Sequence, residues 1–106
     1  VYKTGGANLK LNFDNNSCTP GGTNAYWGNL TPAELAAYAY SGQECAITSG
    51  GNLTTIPAAT SAFFVVVGSD GAATESGNTQ NSAGAWMGNG AGRCAITTQS
   101  TASSCP

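Results

Sequence analysis

The chain has 106 residues and a net charge of −2, with three basic side chains, five acidic ones and no histidine. Three cations cannot neutralise a phosphate backbone, which excludes a nucleic-acid binder, and the lack of histidine excludes Ser–His and Cys–His nucleophilic systems. Leu, Ile, Val and Phe together number only 15, yet the low charge argues against disorder, so residues 1–106 read as one folded domain with a thin core.

In chain order, Asn8 to Phe13 alternates polar and apolar residues and predicts a half-buried strand with Leu9, Leu11 and Phe13 turned inward. Asp14 to Gly22 is a loop by composition, rich in Asn, Ser, Pro and Gly. Its oxygen ligands lack the D-x-D-x-D-G alternation of a calcium loop, so a polar turn is the simpler reading. Tyr26, Trp27 and, much later, Trp86 are large aromatics within Gly- and Asn-rich stretches. A flat ring in such a place can stack on a sugar, although a thin core also needs its tryptophans for packing.

Leu30 to Gly42 carries the signals of a short capped helix. Thr31 is the N-cap, Pro32 occupies the first helical position, Glu34 completes a capping box, and Leu30 with Leu35 forms a hydrophobic staple. Gly42 stops it. Two segments then share four residues, Cys45-Ala46-Ile47-Thr48 and Cys94-Ala95-Ile96-Thr97. Both read as strands entering the core beside a disulfide. A match of four common residues is no evidence of an internal repeat.

Between them lies Ser61 to Gly68, with Phe63-Phe64-Val65-Val66-Val67 at its centre. This uninterrupted β-branched and aromatic run predicts a central strand buried on both faces, stopped by the turn Gly68-Ser69-Asp70-Gly71. Leu53 to Ile56 predicts a short strand cut by Pro57, and Ala72 to Thr74 a weak one. The expected fold class is α+β and β-rich: a small antiparallel sheet, one short capped helix and two disulfides.

Cys18, Cys45, Cys94 and Cys105 form an even set with no C-x-x-C pair, which favours disulfides in an exported protein over a metal or redox site. Pairing between sequence neighbours, Cys18 with Cys45 and Cys94 with Cys105, closes modest loops of about 2–4 kcal/mol each on the chain-entropy model. The chain starts at Val1 without a charged or apolar leader, so an export signal is expected to have been removed. No stretch approaches the ~20 apolar residues of a membrane span. An extracellular or cell-surface location follows. The triplets at Asn15, Asn29 and Asn52 fit the N-glycosylation pattern, at the frequency such a composition gives by chance.

Glu34 is explained by the cap and Asp70 by the turn, and the remaining acids, Asp14, Glu44 and Glu75, show no spacing that suggests an acid–base couple. The expectation is a protein without catalytic residues, cofactor or metal. Two readings remain, a structural subunit and a secreted carbohydrate- or protein-binding module.

The run Phe63 to Gly71 and the terminal segment Cys94 to Cys105, taken with the order helix, strands, long apolar strand and C-terminal disulfide, resemble the globular part of a type IV pilin or pseudopilin. The apolar N-terminal helix that marks the family is not in this sequence, so the resemblance extends to a chain whose helix was removed or to two-chain pilins. It implies a structural subunit of an extracellular filament serving adhesion, motility, DNA uptake or secretion. Its partners would be the pilin N-terminal helix and neighbouring subunits. Leu9, Leu11, Phe13, Phe63, Phe64, Val65 and Val67 would pack on that helix.

Overall fold

The computed structural model describes residues 2–4, 8–14, 21–33, 40–51, 53, 61–77, 82–84 and 94–100. Seven strands occur among them: β1 (Tyr2–Thr4), β2 (Asn8–Lys10), β3 (Gly22–Asn29), β4 (Gly42–Glu44), β5 (Ala62–Ser69), β6 (Thr74–Ser76) and β7 (Thr98–Ser100). β1 and β2 form an antiparallel pair, and the other five make one sheet in the order β4-β3-β5-β6-β7. The sheet is mixed, because β7 joins β6 in parallel while every other pair is antiparallel. This corrects the all-antiparallel expectation: a parallel neighbour needs a long return connection, and here residues 77–97 supply it.

The predicted central strand is present as β5, but it is not the strand buried on both faces. Most of β5 is half-buried and Val66 is 37 % exposed, whereas Thr23 to Gly28 of β3 are all buried. β3 pairs with β5 along its full length, and the register explains how so polar a segment becomes the centre. Gly28 lies opposite Phe63, Asn24 opposite Val67, and Ala25 opposite Val66. At these pairs a smaller side chain on β3 makes room for a bulky one of β5, while Tyr26 and Trp27 face Val65 and Phe64 directly.

Neighbouring residues of a strand face opposite sides. Ala25 and Trp27 therefore share one face with Phe64 and Val66, and Asn24 and Tyr26 share the other with Phe63, Val65 and Val67. On the first face Ala25 meets Leu11 and Leu53 in the core, with Leu9, Phe13, Ile47 and Phe64 packed against them. The inward set Leu9, Leu11 and Phe13 is as expected, although regular pairing ends at Lys10. Beyond it Leu53 N–H donates to the Leu9 carbonyl, Gly50 N–H to the Leu11 carbonyl, and Ser49 Oγ to the Phe13 carbonyl, which ties this segment to residues 49–53.

Helix is nearly absent among the described residues: Pro32 and Ala33 are helical, and residues 34–39 of the expected helix lie outside the described set. The two Cys-Ala-Ile-Thr segments are not strands. β4 ends at Glu44, before Cys45, and β7 begins at Thr98, after Thr97. Ala46, Cys94 and Ala95 have φ of 54°, 48° and 59°, in the left-handed region that an extended strand cannot contain. Both segments turn at the same point of the motif, and Ile47 and Ile96 then point inward.

Candidate functional site

Tyr26 and Glu75 come together at the heart of the second face. Ser69 carries the register across from β5 to Glu75 of β6, so the side chains of Tyr26 and Glu75 lie on one side of the sheet. The Tyr26 hydroxyl donates to Glu75 Oε2 at 2.8 Å, and both residues are 0 % exposed. Burial, with the adjoining carboxylate, pushes the Tyr26 phenol far above its ordinary value of 10.0, since ionisation would set two negative charges side by side away from water. The Tyr40 ring sits 5.1 Å from the Tyr26 ring, and Phe63 lies 6.2 Å from Tyr40. Gln99, paired with Glu75 in the β6–β7 register, has a buried Nε2 with no hydrogen-bond partner among the described residues. The pair is enclosed. Fully buried, it braces β3 against β6 across β5.

Cys45 and Cys94 form a disulfide, with Cα atoms 5.5 Å apart. This overturns the neighbour pairing Cys18–Cys45 and Cys94–Cys105. The residue that follows each of these cysteines, Ala46 or Ala95, is turned into the left-handed region, and the two bends meet over one end of the sheet. Ile47 N–H donates to the Thr23 carbonyl and Ala46 N–H to Asn24 Oδ1, fixing the first bend on β3. Cys18 and Cys105 lie outside the described residues. An open cavity of about 200 Å³ flanks the disulfide, lined by Gly21, Gly22, Asn24 and Ser69 among others. Its rim is already satisfied: Gly71 N–H donates to Ser69 Oγ and Ala72 N–H to Asp70 Oδ1. Asp70 also accepts from Thr74 N–H, and these backbone donors hold its carboxyl below the usual carboxylate range. The turn role expected of Asp70 is the one it plays.

The helix-packing set divides. Phe63, Val65 and Val67 face the Tyr26 side of the sheet, while Phe64 faces the other with Leu9, Leu11 and Phe13. One helix cannot cover both faces. Leu11 and Val67, each 2 % exposed, are filled in by the chain itself. What remains open on the Phe64 face is Val66, while half-buried Phe64, Phe13 and Leu9 pack against the Leu11–Ala25–Leu53 core on that side. Val66 was missed because a run of five apolar residues does not reveal which of them its own fold will cover.

Of the aromatics proposed for ligand stacking, Tyr26 is fully enclosed and Trp27 is 3 % exposed. Trp27 packs against Phe64, ring centres 6.1 Å apart, and over Gly42, where a Cβ would collide with the indole. Neither ring offers a face to a sugar here, and Trp86 lies outside the described residues. The signal that could have placed them was their adjacency: on a strand they must occupy opposite faces, so burying both requires a strand covered on both sides. Among the described residues no group of three potential metal ligands gathers, and no helix is long and apolar enough to cross a membrane. No family model matches this chain, and neither a curated protein nor a solved structure matches it.

Proposed function

We propose that this chain is a structural subunit of an extracellular filament of the type IV pilus kind, packing the Phe64–Val66 side of its sheet against an apolar pilin-type helix. The observation that carries the reading is Val66. It stands in the middle of an eight-residue strand, on the face of the core, and is 37 % exposed. Contiguous apolar surface left open marks interaction sites, and Val66 adjoins half-buried Phe64 two residues away on the same face. No charged residue occurs between Glu44 and Asp70 in the sequence, and low charge favours association over dispersal.

The alternative, a secreted binding module, keeps its protein-binding form but loses Tyr26 and Trp27 as sugar platforms. Dye binding separates the two. The filament reading expects the isolated chain to bind a hydrophobic dye, Val66→Asp to weaken that binding with the fold intact, and an added apolar helical peptide to displace the dye. Oligosaccharide-dependent tryptophan quenching, with no dye binding, overturns it.

A further inference from the structure

The backbone of β5 has a direction that its side chains conceal. Leu30 N–H donates to the Ser61 carbonyl at 3.2 Å, one step beyond the Asn29↔Ala62 pair. Opposed residues of an antiparallel ladder alternate between pairs that exchange both hydrogen bonds and pairs that exchange none. Phe63, Val65 and Val67 therefore direct their N–H and C=O groups to β3, and Ala62, Phe64, Val66 and Gly68 direct theirs outward. The far end agrees, since the Ser76 hydroxyl donates to the Gly68 carbonyl at 3.3 Å and Asp70 N–H to the Thr74 carbonyl. β6 meets β5 in register only at Ser69. No hydrogen bond joins the outward groups of Ala62, Phe64 or Val66 to another described residue.

Among the described residues this edge has none of the usual protection. Sheet edges are normally blunted by lysine, proline or a bulge, and residues 61–69 contain neither residue type and pair with β3 without a break. No charged residue occurs between Glu44 and Asp70. We propose that the outer edge of β5 is an association surface for a second copy of this chain, the two β5 strands lying antiparallel about Phe64. In that register Phe64 opposes its counterpart and Ala62 opposes Val66, so outward groups meet outward groups, while Ser61 opposes Val67 as a pair whose own hydrogen-bonding groups face β3. The ladder stops short of Ser69, where β6 closes the edge, and no like charges face each other. A two-fold axis makes the contact self-complementary, and aromatic and β-branched cross-strand neighbours favour it. The inference goes beyond helix packing, because it uses the backbone edge rather than the side-chain face and stands if that reading falls.

Sedimentation across a range of concentrations, with residue-resolved amide exchange at each end of the range, tests it. The expected result is a monomer–dimer equilibrium in which the Phe64 and Val66 amides gain protection only in the dimer, while those of Phe63 and Val65 are protected in both states. Val66→Pro removes an outward donor and leaves every bond to β3, so it should abolish the dimer. Val66→Lys should weaken it, and serves if the proline variant does not fold. A chain monomeric at every concentration, or one that associates without protecting Phe64 and Val66, overturns the proposal. Association untouched by Val66→Lys does the same.

Discussion

At the residue scale the fold depends on a few side chains whose surroundings admit no substitute. Tyr26→Phe keeps the ring but removes one donor to a fully buried carboxyl group, and the loss of a buried hydrogen bond of this kind costs about 1–3 kcal/mol. Chemical denaturation of the two proteins at neutral pH measures this. The sign of the pH dependence follows from the raised pKa. The folded protein holds the Tyr26 proton more tightly than the unfolded chain, so this stabilisation is complete below about pH 10 and is lost as pH rises above it. The difference in melting temperature between wild type and Tyr26→Phe should therefore shrink in alkali. Gly42→Ala should cost about 1–3 kcal/mol, because the new methyl meets the Trp27 indole inside packed surroundings. A melt unchanged by that substitution would mean that Trp27 does not lie over β4.

At the scale of elements, β5 was legible and β3 was not, for opposite reasons. Phe63 to Val67 declares a strand through its own side chains, whatever its neighbours do. Gly22, Asn24 and Gly28 argue locally for a loop, and become a strand through their pairing with Ser69, Val67 and Phe63 of β5. Strand character of this kind resides in the partner, so no reading of β3 alone finds it. The left-handed alanines were hidden likewise, since alanine carries no local preference for positive φ. The misjudged disulfide follows from them. Cys45 and Cys94 are 49 residues apart in sequence, yet the two bends deliver them to the same end of the sheet. With that pair made, a second disulfide can draw only on Cys18 and Cys105. Non-reducing peptide mapping should recover a Cys45–Cys94 peptide and a Cys18–Cys105 peptide, and one linking Cys18 to Cys45 would contradict both.

At the scale of the whole molecule, the composition foretold a thin core, and the structure shows how it is used. One face of the sheet buries a small aliphatic cluster around Leu11, Ala25 and Leu53, and the other buries a polar pair, Tyr26 and Glu75. Leu9, Leu11 and Phe13 could be assigned inward from alternation alone, but which apolar residues stay uncovered depends on the full packing. That is why the helix-packing set, read from the sequence as one groove, separates onto two faces and leaves Val66 in the open. The central claim is that this open region around Val66 receives an apolar helix. Its most direct test is amide and methyl chemical-shift mapping of the dilute, monomeric chain titrated with an apolar helical peptide. The account predicts saturable shifts gathered on Val66, Phe64, Phe13 and Leu9, with Tyr26 and Val67 unmoved. Shifts confined to the polar turn around Asp70, or none at all, would contradict it.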